Sequence, residues 1–576
     1  MNTASIQASN VGLEDSETCK ADKIDSHATR VTTEGAVIDG VTGEEVEPVV
    51  TFKTWIVVTI LSCGYGLSFW PIPVMANIGG LIATSFDQPA SYMWFIPAWT
   101  ISITCCFMVC GANTDLLGRR WFLVGGNLVS TFGHIVVATA KGPNAVIAGM
   151  AIAGFGGGNC QMAAFALPEL LPNKWRHIGV VIADLTTLIA VIVGPISGLY
   201  SFHEGSWQWN FGVAAIAQFI SFLGLLFIYG IPPRQLLREI DYVGMFLFVA
   251  GAVPVLMGIV WTTVFPSDDA QVVAALIIGF AFIVAFVLWE IFSKTKHPLT
   301  PTYIFTSSWG RDFTAPAIAL AVVNMFYYSS SIIWPTIVIS FYTNTGVNWR
   351  YAMTMSLPQG TAITFGAILL TLFGSKIKHW HWQLTGSVFV MVLFGSLLAL
   401  VTPTNKGLMV AMVFLSQTGY GWAIYLSIAV AQMGVEHKDL GLSGGISGVS
   451  RFAAGSIAAA VYTTILSNET TKSIARLVPA AAITAGVPSS RIPELMRVLG
   501  TPALAESSSP QVVTAVVAAV AQATVHGIRL VAFASLAFGC VGIIACLCCK
   551  DVDKKMNDKI EVYLENTEYA DRNKYH

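Results

Sequence analysis

The chain has 576 residues, 54% of them hydrophobic and only 11% charged, with a formal net charge of −2. A soluble domain carries about a quarter charged residues, and a near-neutral chain offers no basic field to nucleic acid. A soluble globular protein and a nucleic-acid partner are both excluded.

In chain order, residues 1–52 are polar and acidic, without the apolar core of a signal peptide, and read as a disordered cytosolic tail. The first span would then act as an uncleaved signal-anchor. A helix of about 20 apolar residues crosses a bilayer. Such stretches are predicted at 54–75, 91–113, 120–140, 144–168, 178–200, 209–230, 241–263, 270–292, 313–336, 350–374, 383–402, 408–432, 443–466 and 526–549. The expectation is an all-α membrane protein with about fourteen transmembrane helices and a cytosolic tail at 550–576. Pro71 and Pro73 interrupt the outer end of the first span.

Lys and Arg in the short connections fix the orientation. One side carries Arg119, Arg120, Lys174, Arg176, Arg234, Arg238, Lys294, Lys296, Arg311, Lys376, Lys378 and Lys438; the other carries only Lys141, Arg350 and Lys406. The first side is assigned to the cytosol, together with both termini. The connection 467–525 is then an extracellular loop, and its Asn468-Glu469-Thr470 is an N-glycosylation acceptor pattern.

A weak repeat relates the end of the second span, Gly111 to Trp121, to the end of the tenth, Gly374 to Trp380. If the two correspond, a six-helix half at 53–230 matches another at 313–549, with two spans inserted at 231–312. Repeats of this kind build transporters around a midplane site.

The densest signal is Gly111-Ala-Asn-Thr-Asp115-Leu-Leu-Gly118-Arg119-Arg120. Gly118 is expected to permit a tight turn where a side chain would block close helix approach. Asp115, at a helix end, can meet the positive amino-terminal dipole of a helix from the other half. Arg119 and Arg120 stay on the cytosolic side and pair with nearby carboxylates; a plain positive-inside anchor would explain the arginines alone.

This segment resembles the signature loop of the major facilitator superfamily. Gly194-Pro195-Ile-Ser-Gly198 in the fifth span is similar to the antiporter motif of its drug:proton exchangers, and Trp207-Gln-Trp209-Asn-Phe211 to a motif of fourteen-span members. Pro168 to Pro172, Ile333-Trp334-Pro335, Phe341-Tyr342-Thr343, Gly441-Leu442-Ser443 with Arg451, and Ala459 to Thr463 together resemble the fungal trichothecene efflux pump family. The resemblance runs from about residue 55 to 565. It implies the major facilitator fold and proton-coupled export. Three departures stand out: Leu116 replaces a basic residue, Met150 an arginine and Leu199 a glycine.

Ionisable residues inside a membrane are functional candidates. Asp184 lies about two turns into the fifth span and Arg451 about two turns into the thirteenth, while Glu169 sits at the cytosolic end of the fourth. A carboxylate in low dielectric favours its neutral form, as a proton carrier requires. Asp184 and Arg451 are thus coupling groups, partners in a gate, or both, and Glu169 is more simply a structural cap or interface residue. Gly154 and Gly158 have the spacing of close helix packing. Tyr65, Phe69, Trp70, Trp94, Trp99, Tyr327, Tyr328, Trp334, Tyr420, Trp422 and Tyr425 are singly belt or packing residues. Collectively, with almost no buried cation, they describe a cavity for a neutral amphipathic molecule.

The cysteines lack metal-ligand spacing, and no nucleophile motif or phosphate loop appears, so no metal, cofactor or enzymatic activity is expected. Cys546, Cys548 and Cys549 read as buried thiols or palmitoylation sites. The function expected is secondary active, proton-driven efflux of a lipophilic small molecule such as a fungal secondary metabolite, mycotoxin or drug. The site is the cell membrane, or a vacuolar or vesicle membrane, with lipids as the surrounding partner. A ferric-siderophore importer is the alternative within transport, and a non-transporting sensor or scaffold the alternative outside it.

Overall fold

The computed structural model describes residues 30–31, 37–38, 52–167, 173–228, 240–293, 295–343, 348–436, 439–499, 504 and 508–556. Arg30–Val31 pairs antiparallel with Val37–Ile38; the rest of the tail expected at 1–52, and residues 557–576, lie outside the described residues. From Phe52 onward the chain forms one helical unit.

Thirteen described helices are long and apolar enough to cross a membrane. Pro143–Gln161 is the helix expected as the fourth span. Its glycines and polar carboxyl end lower its hydropathy, yet it packs lengthwise against the second and third spans. Glycine is what allows that approach: a Cβ on Gly156 would lie 2.3 Å from the Ser130 nitrogen, and one on Gly154 2.4 Å from the Trp99 carbonyl oxygen. Counting it gives the fourteen spans expected.

The halves repeat. In the first, the second span packs on the fourth, the third on the fourth and sixth, and the first on the fifth and sixth. Shifted by eight spans, the same neighbours recur: tenth on twelfth, eleventh on twelfth and fourteenth, ninth on thirteenth and fourteenth. Between halves, the second span meets the thirteenth and the fifth meets the tenth, as a two-fold relation requires. The inserted seventh and eighth spans, Tyr242–Trp261 and Ala270–Phe292, pair with each other. Phe248, Ala252 and Phe286 seat them on Met108, Ala112, Leu442 and Ile446 of the second and thirteenth spans.

Several boundaries are corrected. The first span does not end at residue 75: after Phe69 the helix restarts with Pro71 at its first position and runs to Ser85, because proline is tolerated where no intrahelical N–H partner is needed. The fifth span is broken at Asp184 into Arg176–Ala183 and Leu185–His203. The thirteenth continues to Thr484, and the fourteenth begins at Pro510. The stretch expected as a loop at 467–525 is therefore largely a helical hairpin. Its helices lie against each other through Val478, Ala482, Val512 and Val516, with Leu495 of Ile492–Arg497 added.

Candidate functional site

At the basic face of the bundle, the ends bearing Arg119 and Lys376, the halves are closed together. The Asp115 carboxylate accepts hydrogen bonds from the backbone N–H of Gly441 (2.9 Å) and of Leu442 (2.8 Å). These belong to the first turn of the thirteenth span, Leu440–Thr484, whose opening N–H groups have no intrahelical acceptor. Charge-assisted bonds to such groups are worth about 1.5–3 kcal/mol each. Arg119 approaches Asp115 at 3.4 Å, and Arg120 donates to the Leu226 carbonyl at 2.9 Å.

The glycines of this segment have separate tasks. Gly118 has φ +83°, but a Cβ there would meet nothing within 4 Å. The expectation that a side chain would block helix approach at Gly118 is therefore corrected, since its requirement is conformational. Close approach belongs to Gly111, whose Cβ would lie 2.6 Å from the Gly445 Cα on the thirteenth span. The seal continues where Gln432 of the twelfth span donates to the Ala164 carbonyl (2.8 Å) and where His177 packs on Trp380 at 4.7 Å between ring centres.

The buried charges lie deeper. Asp184 stands at the break in the fifth span rather than within a continuous helix, and accepts a 2.7 Å hydrogen bond from the Tyr425 hydroxyl of the twelfth. Arg451 of the thirteenth donates to the Tyr65 hydroxyl of the first at 3.1 Å, with Tyr420 beside the same guanidinium. Among the described residues Asp184 and Arg451 make no direct ion pair. They act on one another electrostatically across the tyrosines, and both hydrogen bonds cross from one half to the other. Both side chains are buried.

Tyrosine hydroxyls in this role were not singled out in the sequence; Tyr65, Tyr420 and Tyr425 counted there only among aromatics. Two more buried carboxylates escaped notice. Asp241 caps the seventh span through the Gly244 N–H at 2.8 Å and also accepts from the Trp289 indole, while Glu290 accepts from the Thr300 N–H at 2.7 Å. Asp at a helix start and Trp289 beside Glu290 were the available signals.

Above the charges, toward the opposite face, a cavity of about 280 Å³ lies between the halves. Asn77, Pro195, Tyr327, Trp334, Gln359 and Ile363 are among its walls. Tyr327 joins the cavity to the charges, its ring tilted by 30° against that of Tyr420 at 5.6 Å between centres. Of the antiporter motif, Pro195 lines the cavity, while Gly194 and Gly198 face Pro73, Val74 and Ile78 of the first span. Asn468 is exposed in mid-helix, with Thr470 turned toward Gly527 of the fourteenth span. Glu169 lies outside the described residues.

The profile of the fungal trichothecene efflux pump family matches residues 74–575. The chain belongs to this family. It is 59% identical over 535 residues to the MFS-type transporter prx5 of Penicillium rubens, covering 92% of this chain and 96% of that one. It is 24% identical to the trichothecene efflux pump TRI12 of Fusarium sporotrichioides, with 83% of each chain covered. Among solved structures, a bacterial homolog of the human lysosomal transporter Spinster shares the fold at a TM-score of 0.50 and 12% identity, covering 88% of this chain and 99% of that one. The protein is thus a multi-pass membrane protein of a transporter family.

Proposed function

We propose that this chain exports a lipophilic small molecule by proton exchange, alternating access between its two halves. The observation that carries the reading is the Asp184–Arg451 cluster, whose two hydrogen bonds bridge the halves beside an aromatic cavity. With the basic face sealed and the cavity toward the opposite face, the arrangement suits a rocking carrier closed on its basic side.

Asp184 is the group positioned to hold the coupled proton. When ionised it attracts Arg451 across the half-interface and accepts from Tyr425. When protonated it loses that attraction, and its own O–H must be accommodated. A buried charge left without its partner costs several kcal/mol, enough to bias two conformations that differ by a few. Asp115 supplies the opposing hold at the basic face, present only while the thirteenth span abuts the second. The cavity walls supply apolar and aromatic surface with a few amide and hydroxyl groups, which suits a neutral, amphipathic cargo rather than an anion.

The test is flux. Purified protein in vesicles should concentrate a lipophilic test compound against its gradient when a pH gradient is applied, and cease when an ionophore collapses it. Accumulation indifferent to the pH gradient would remove the proton from the account.

A further inference from the structure

We propose that His203 and Trp349 form the gate over the cavity on the face opposite the basic one, a stacked pair with one ring from each half that must part before cargo leaves. The proposal rests on the transport reading above.

Two contacts between the fifth and tenth spans frame the cavity. At the lower contact Gly360 lies against the fifth span's backbone, where a Cβ would fall 2.6 Å from the Val191 carbonyl oxygen. At the upper contact the His203 imidazole stacks on the Trp349 indole, centroids 4.5 Å apart and planes 14° from parallel. Roughly 17 Å of helix separates the contacts on each span. Over that interval Pro195 and Leu199 from one span, with Ala352, Ser356 and Gln359 from the other, line the cavity. Pro195 stands within the interval and Pro358 at its lower end. Proline inside a helix favours a kink, so each span carries a bend-promoting residue beside the cavity.

The upper contact is built to break, whereas the lower is not. His203 is the last residue of its helix and Trp349 the first of its own, positions where helices fray. The stack can separate without disturbing either span, while the Gly360 contact is backbone on backbone and serves as the pivot. Arg350 sits over the same indole at 5.3 Å and holds its plane. An aromatic pair of this kind shifts an equilibrium by about two- to tenfold.

The gate is read with a thiol placed in the cavity by Ser356→Cys in the purified full chain, comparing maleimide labelling with protein lacking that substitution to remove the native thiols. His203→Ala and Trp349→Ala are each expected to raise the labelling rate of the reporter about two- to tenfold. His203→Phe, which keeps a flat ring, should return it to the parent rate. His203 is exposed, so its replacement leaves the packed core intact. Labelling of either alanine variant at or below the parent rate, or of His203→Phe as fast as His203→Ala, would overturn the gate. The measurement needs neither cargo nor a proton gradient, so its failure is distinct from a failure of transport.

Discussion

Asp115 and Gly118 are three residues apart and answer to different physics. Asp115→Asn keeps the shape but loses the charge that two N–H groups of the thirteenth span address. A loss of about 2 kcal/mol changes the ratio of closed to open basic face by about thirtyfold. A Cβ at Gly118 meets no neighbour, so the chief cost of Gly118→Val is the strain of a β-branched residue at positive φ, about 1–3 kcal/mol. Both variants should reach the membrane, favour the inward-open state and transport slowly, read as raised thiol-reagent access from the basic face together with reduced flux. Normal flux through correctly localised variants would separate this loop from gating. The spacing Gly-x3-Asp-x2-Gly-Arg-Arg made the loop readable, because a carboxylate at a helix end has few other uses. The tyrosines around Arg451 were not readable. Tyr65 and Arg451 are 386 positions apart, and only the reach of the arginine from the thirteenth span to the first turns a phenol into a hydrogen-bond acceptor.

Helix crossings decide how the halves meet, and the crossing of the second and thirteenth spans is the tightest at the basic face. Gly111 and Gly445 lie backbone to backbone, and each would drive a Cβ to 2.6 Å from the other's Cα. Gly111→Val and Gly445→Val are therefore expected to abolish transport while sparing insertion, since neither side has a flexible atom to yield. Wild-type flux with normal expression would show that the crossing opens at no cost. Span periodicity was readable nearly throughout, including the glycine-rich fourth span, which takes its place from its neighbours more than from its hydropathy. The helical hairpin beyond the thirteenth span was not. Pro479, Gly486 and Pro488 punctuate it as a loop would be punctuated, yet the helix runs through Pro479 to Thr484, because Val478 and Ala482 pack on Val512 and Val516 of the returning helix.

At the scale of the whole molecule, the shift by eight spans explains why the signature loop has a counterpart after the tenth span. Lys378 and His379 take positive φ where Gly118 does, and Asp553 accepts from the Trp380 N–H at 3.2 Å, opening the eleventh span much as Asp115 opens the thirteenth. The basic side is predicted to face the cytosol, so an epitope or protease site at residues 376–381 should be reached only from within. Access from outside intact cells would invert the topology, and with it the direction assigned to the cavity.

The central claim, that Asp184 carries the coupled proton, is tested most directly by Asp184→Asn in vesicles, measuring uphill efflux under a pH gradient and downhill exchange of the same cargo side by side. The account predicts that uphill efflux is lost while exchange persists, because asparagine holds the neutral state and can still accept from Tyr425. Uphill pumping at the normal rate would contradict it outright. Loss of both modes, restored by exchanging the charges of Asp184 and Arg451, would make the pair a gate and not a proton carrier.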